Sequence, residues 1–244
     1  MSLRQLSKTW DDFGRQDPLW AILSHDDKRG NRWDLVEFMD TGRAEIETAL
    51  KYVTKLQPEL ARQRALDFGC GVGRLSQALA EHFEQVDGVD IAASMIEQAR
   101  TINQHGSNCR YHHNTSSNLA TFADRSFDLI YSNLTLQHMH PTLAHGYIRE
   151  LCRVLRPGGA LVFDLPVRPK RDRSSLGILL SRMLRPLQLF WLRKIRQRPV
   201  MDMFGSPLQQ VEHLVTSSGC QLSDTLKSES AGPDWLTHRY YVTR

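Results

Sequence analysis

Cysteine is scarce in this chain of 244 residues, and the four present show no paired spacing: Cys70, Cys109, Cys152 and Cys220 lie far apart. That argues against a zinc ribbon and against a disulfide scaffold. No apolar run approaches the roughly 20 residues of a membrane-spanning helix. The opening MSLRQLSKTWDDFG lacks the apolar core and small-residue cleavage site of a secretory leader. A cytoplasmic protein is therefore expected. Repeats and low-complexity tracts are also missing, and 41% hydrophobic with 24% charged residues is the balance of an ordinary globular chain. The length suits one catalytic domain with a helical elaboration.

The formal charge of +4 hides an asymmetry. Residues 168–198 hold ten basic side chains against Asp172 alone, a net +9 that leaves −5 for the rest. Leu176, Leu179, Leu180, Met183, Leu184 and Leu187 would form one apolar helical face there, with Pro186 kinking it. Such a segment suits a helical cap with solvated arginines. It also suits attraction of an anionic acceptor or peripheral contact with a membrane surface. Nucleic acid is the least favoured partner, because the rest of the chain is acidic.

Periodicity divides the chain into four parts. Residues 1–60 read as a helical N-terminal cap, with Ile46, Leu50, Val53 and Leu56 at helical spacing before Pro58. Residues 61–166 alternate short apolar strands (RALDF, QVDGVD, CRYHH, FDLIYS, ALVFDLP) with helical stretches such as RLSQALAEHF and SMIEQART. That alternation implies a parallel sheet with right-handed crossovers. Residues 167–204 form the basic helical insertion. Residues 205–244 read as a helix, capped at Gly219, and two strands joined by a long connection.

The chemistry concentrates between Ala65 and Arg100. A strand ends at Asp67, the turn Gly69-Cys70-Gly71-Val72-Gly73 follows, and a helix opens near Arg74. Glycines let a backbone turn sharply and approach a ligand closely. A second strand ends at Asp90, seventeen positions after Gly73. In an open α/β sheet both features face the crevice beyond the strand ends, where a carboxylate can accept from two ribose hydroxyls. The spacing differs from the G-x-G-x-x-G of dinucleotide binders, and Asp67 is placed to attract a cationic ligand group.

ALDFGCGVGRL, DGVDIAASMIEQAR, FDLIYSNLTLQHM and ELCRVLRPGGALVFDLP, in that order, resemble the class I S-adenosylmethionine-dependent methyltransferases over roughly residues 60–166, and more loosely to the end. The resemblance implies an α/β, Rossmann-like, doubly wound seven-stranded sheet whose last strand is antiparallel, with S-adenosyl-L-methionine as cofactor. It places Asp67, Gly69, Gly71 and Gly73 around the methionine portion, with Cys70 and Arg74 beside it. Asp90 would hold the ribose, and Ile91 and Met95 would pack on the adenine. HHNTSSNL lacks the usual acid that reads the adenine amino group, leaving Asn114 and Thr115 in its place. Ser132 and Asn133 would face the methyl-transfer site, and Arg156 to Gly159 would form a structural turn.

Trp10, Gly14, Asp17 and Pro18, with LQHM and GPDW…RYYVTR, further resemble a bacterial subgroup associated with sugars, glycolipids or secondary metabolites. The expected acceptor is thus a small molecule or glycan, with an RNA or protein methyltransferase, or a cofactor-binding protein without turnover, as alternatives. His138 and His140 follow the fourth strand and are the general-base candidates, His138 first. His112 and His113 point to opposite faces of a strand and His138-x-His140 lacks a third ligand, so no metal is expected. Trp10, Phe13 and Trp20 are placed to cover a cofactor. Nothing in the sequence specifies an oligomeric state.

Overall fold

The computed structural model describes residues 2–170 and 201–244. Most of the expected helical insertion, residues 171–200, lies outside the described residues. Helices α1 (Leu3–Gln16), α2 (Pro18–Ile22) and α3 (Leu35–Leu56) precede the alternating core. The core runs β1 (Arg64–Phe68), α4 (Arg74–Ala80), β2 (Gln85–Asp90), α5 (Ala93–Thr101), β3 (Cys109–His113), β4 (Phe127–Ser132), α6 (Pro141–Val154) and β5 (Leu155–Pro169). Helix α7 (Leu208–Ser217), β6 (Gln221–Ser228) and β7 (Trp235–Thr243) complete it.

The seven strands order as β3-β2-β1-β4-β5-β7-β6, with β7 antiparallel to both neighbours and the pairs among β1 to β5 parallel. This is the expected architecture. The order reverses between β1 and β4, which opens a crevice at their carboxyl ends. Both faces are covered. Ile46, Leu50 and Val53 of α3 pack with Leu79 and Ile96 on one side. On the other, Ile148 and Leu151 of α6 pack with Val211 and Val215 of α7. Burial on both faces explains why the central strands are near-continuous apolar runs.

Three details differ from the sequence reading. The helix that carries Ile46, Leu50, Val53 and Leu56, α3, starts well ahead of them, at Leu35, where Asp34 accepts the Glu37 N–H at 2.9 Å and Phe38 is fully buried. β6 and β7 are joined by the short stretch 229–234, because β6 continues to Ser228 through alternating polar residues that carry no apolar signal. Val167–Pro169 prolong β5, pairing with β7, and the Arg156–Gly159 turn is a register shift inside that strand. Gly219, at φ 76°, does terminate α7.

Candidate functional site

A cleft of about 710 Å³, counting the space at its mouth, lies over the carboxyl ends of β1, β2 and β4. Its floor is the glycine turn. Gly69, Gly71 and Gly73 all have positive φ (81°, 53° and 89°), a conformation that side chains with a Cβ rarely adopt. Asp90 ties this turn to β2: one oxygen accepts the Gly71 N–H at 2.9 Å and the other the Ala92 N–H at 2.8 Å. Burial raises the Asp90 pKa, and these backbone bonds oppose the rise.

The sequence candidates separate into two groups. Gly69, Gly71, Asp90, Ile91, Met95, Asn114, Asn133 and His138 line the cleft. Asp67, Cys70, Gly73, Arg74, Thr115 and Ser132 do not. Asp67 is buried behind the turn, where it accepts from Ser76 Oγ at 2.6 Å; burial lifts its pKa to about 7. Cys70 joins the core with Leu75 and Leu79. A Cβ on Gly73 would stand 2.3 Å from Tyr111 Oη, so this glycine serves the packing of α4 on β3. Arg74 is buried and paired with Glu45. Thr115 is exposed, and Ser132 Oγ donates to the Phe68 carbonyl at 2.9 Å, latching β4 to β1. Asn114 reaches the cleft with its amide engaged in its own loop, donating to Asn118 O and accepting from Ser116 N.

His138 sits in a 3-10 turn, Leu136–His138, and its environment fixes the tautomer. Nδ1 donates to the Asp202 carbonyl at 2.8 Å, which leaves Nε2 to accept from Gln137 Nε2 at 3.2 Å. Burial depresses its pKa to about 4, against the opposing pull of that carbonyl. The ring is neutral at ordinary pH and weakly basic. His140 is exposed on the outer side of this turn and packs edge-on against Phe204. His112 bonds Asp87 while His113 bonds the Ile91 carbonyl, as opposite strand faces require. Among the described residues, no three of His, Cys, Asp or Glu gather as metal ligands.

Helices α1 and α2 form the remaining wall, through Leu6, Trp10, Ala21 and Ile22. The sequence signal for these was weak, because they lie far from the motifs they face. Trp10 meets the His138 ring edge-on at 5.0 Å. Phe13 is buried beside it, whereas Trp20 turns away, donating to the His25 carbonyl and lying under Arg29. Residue Ala92, before α5, has no side-chain acceptor, and Asp11 of α1 supplies one: Ser94 N donates to Asp11 Oδ1 at 2.9 Å. Gly14 permits this contact, since a Cβ there would lie 2.3 Å from Ser94 Oγ. We expect Gly14→Leu to lift α1 from α5 and weaken ligand binding about tenfold, on the loss of apolar wall contacts worth about 1–2 kcal/mol. Calorimetric titration checks it; an unchanged affinity would mean that α1 is no part of the site.

Comparison with known proteins points the same way. The sequence model of a family described as a methyltransferase domain matches residues 65–159. A trans-aconitate 2-methyltransferase of Deinococcus radiodurans is 36% identical over 128 residues, covering 51% of this chain and 45% of that protein. A ubiquinone biosynthesis O-methyltransferase of Coxiella burnetii is 36% identical over 116 residues, covering 47% and 48%. The chain thus spans about half the length of the curated relatives it matches. Among solved structures, magnesium protoporphyrin IX methyltransferase from Synechocystis PCC 6803 with bound SAH aligns with a TM-score of 0.65. Its identity is 16%, and the alignment covers 99% of each chain. A SAM-dependent methyltransferase of Leishmania major also reaches 0.65, at 17% identity, covering 98% of this chain and 82% of that one.

Proposed function

We propose that this chain, a member of the class I S-adenosylmethionine-dependent methyltransferases, transfers a methyl group from that cofactor to a small-molecule, sugar or glycolipid acceptor. The observation that carries the reading is the convergence of the glycine turn, Asp90 and Asn133 on one cleft walled by apolar side chains. The residues fit the cofactor. Asp90 is an acid at the end of β2 with room for ribose hydroxyls, Ile91 and Met95 offer apolar surface for a base, and Asn133 presents a buried, unpartnered Oδ1. When bound, S-adenosylmethionine supplies an activated methyl group on a sulfonium.

The protein's own part is alignment and exclusion of water. Asp90 would hold the ribose while its bonds to Gly71 and Ala92 keep the turn in place. Leu6, Trp10 and Ile22 would close over the cleft and keep solvent out. His138 is too weakly basic, and too fully bonded, to take a proton readily from a hydroxyl near neutral pH. We assign it instead to holding Gln137, Trp10 and the Asp202 segment around the acceptor end. The expected result for His138→Ala is turnover reduced about tenfold to a hundredfold with cofactor affinity within about twofold. Steady-state kinetics beside calorimetry decides it; unchanged turnover would remove His138 from the mechanism.

The acceptor class rests on coarser support. Both curated relatives above act, by their names, on small molecules, one of them a carboxylate. The +9 of residues 168–198 adds attraction for an anionic acceptor or an anionic membrane surface. Among the described residues no helix is long and apolar enough to cross a membrane. The test is transfer of labelled methyl from S-adenosylmethionine into bacterial extract, fractionated into glycan and lipid, small-molecule, RNA and protein pools. Label in the first two supports the proposal. Label in RNA or protein would overturn the acceptor class, and no label in any pool would favour a binding protein without turnover.

A further inference from the structure

Glu45 stands on α3, outside residues 65–159, and belongs to no motif of the sequence. It is nonetheless the hub of a buried polar network beneath the cleft. One oxygen accepts from Tyr131 Oη at 2.9 Å and from Asn133 Nδ2 at 2.6 Å, and the other accepts from Arg74 Nη2 at 2.8 Å. Arg239 reaches the first oxygen at 3.5 Å while its Nε donates to Asp164 at 2.6 Å. Burial acts to raise the Glu45 pKa, but the two guanidiniums and the hydrogen bonds outweigh it and hold the carboxyl ionised.

An ionised carboxylate can only accept. Glu45 therefore dictates which way the Asn133 amide faces: its NH2 must point to Glu45, and its Oδ1 must point away. That Oδ1 is buried with no hydrogen-bond partner among the described residues, on a residue that lines the cleft. A buried carbonyl oxygen left without a donor is unfavourable, so the arrangement suits a ligand that brings an N–H. The surrounding charge selects the kind of ligand group. Three carboxylates (Glu45, Asp90 and Asp164), joined by Asp67 where the pH is high enough to ionise it, stand against two guanidiniums (Arg74 and Arg239) here, and this excess favours a cation over an anion.

We infer that Glu45 is a positioning residue that orients the Asn133 amide so that its Oδ1 receives the ammonium of the amino-acid part of the cofactor. This rests on the reading that the cleft holds S-adenosylmethionine. It makes the orientation of that acceptor depend on a helix outside residues 65–159.

The experiment is calorimetric titration of the full chain with two ligands: S-adenosylhomocysteine, and its desamino analogue, which lacks only the ammonium. In Glu45→Gln the neutral amide can donate as well as accept, so the Asn133 amide is free to flip. We expect affinity for S-adenosylhomocysteine to fall about tenfold or more, the loss of one charge-assisted hydrogen bond. Affinity for the desamino analogue should stay within about twofold. Asn133→Ala, which leaves Glu45 in place, should show the same selective loss, and adding Glu45→Gln to it should cost nothing more. Equal losses for both ligands would mark general damage and overturn the assignment, as would losses that add in the double variant. Wild-type protein that binds neither ligand would overturn the cofactor reading itself; binding of both with no selective loss in the variants would overturn only the role of Glu45.

Discussion

Replacing Asp90 by alanine is expected to weaken S-adenosylmethionine binding about a hundredfold while the chain still folds. The carboxylate has two sets of partners. In the protein alone it accepts the Gly71 and Ala92 N–H groups, and so pins the glycine turn to the end of β2. Toward the cofactor it is the proposed acceptor for the ribose hydroxyls. Each hydrogen bond to a charged group is worth about 1.5–3 kcal/mol, so two lost ribose contacts account for the factor of a hundred or more. The fold should tolerate the change, since Asp90 itself lines the cleft and its truncation leaves space there for a water to bond the freed N–H groups. Asp90→Asn should fall between the two, because an amide keeps one acceptor. Calorimetry for affinity and circular dichroism for folding are the two readouts. An Asp90→Ala affinity within about threefold of wild type would mean that the ribose is held elsewhere.

Asp67→Asn should act in the opposite direction on stability, raising the melting temperature of the cofactor-free protein at about pH 8. Asp67 is 1% exposed, and burial lifts its pKa from 3.8 to about 7 despite the Ser76 hydrogen bond and the nearby Arg74. The folded state therefore holds the proton more tightly than the unfolded chain. Its stabilising contribution is complete below about pH 3.8 and is lost as pH rises through about 7, a span worth about 4 kcal/mol. Asparagine has no charge to desolvate and still accepts from Ser76. The same substitution should weaken cofactor binding, because it removes a negative charge behind the glycine turn, an exchange of stability for function.

His138 supplies the counterweight that makes this measurable. Burial lowers its pKa from 6.5 to about 4, so its contribution is present above pH 6.5 and is lost as pH falls toward 4, by about 3 kcal/mol. Between pH 4 and 6.5 the two groups oppose each other, and the wild-type melting temperature should vary little there. Without Asp67 that opposition is weaker, and the variant should lose more stability than wild type as the solution is acidified. A scanning-calorimetry series across that range decides the matter. A variant less stable than wild type at about pH 8 would show that the charge of Asp67 is not a burden on the fold.

Much of the architecture was legible along the chain. RALDF, QVDGVD, CRYHH and FDLIYS coincide with β1 to β4, because short apolar runs bounded by turn residues have few other uses in a doubly covered sheet. The positive-φ glycines and Asp90 were legible for a similar reason: their roles are set by backbone geometry within a few residues of themselves. Polar strands were harder. β6 (QLSDTLKS) alternates without an apolar face, and only its pairing with β7 reveals its length.

Local rules, then, let the sequence by itself determine the strands, the crossovers, the glycine turn and the acid at the end of β2. Periodicity and backbone sterics act over a turn or two of chain, and a sequence displays that range directly. Only the tertiary structure decided that Asp67 is sealed behind the turn, that His138 is a neutral, bonded ring, and that Asp11 supplies the acceptor missing at the start of α5. It alone brought Glu45 beneath Asn133, 88 positions away along the chain. Ionisation and hydrogen-bond direction depend on burial and on partners brought together by folding, and no spacing along the chain records either.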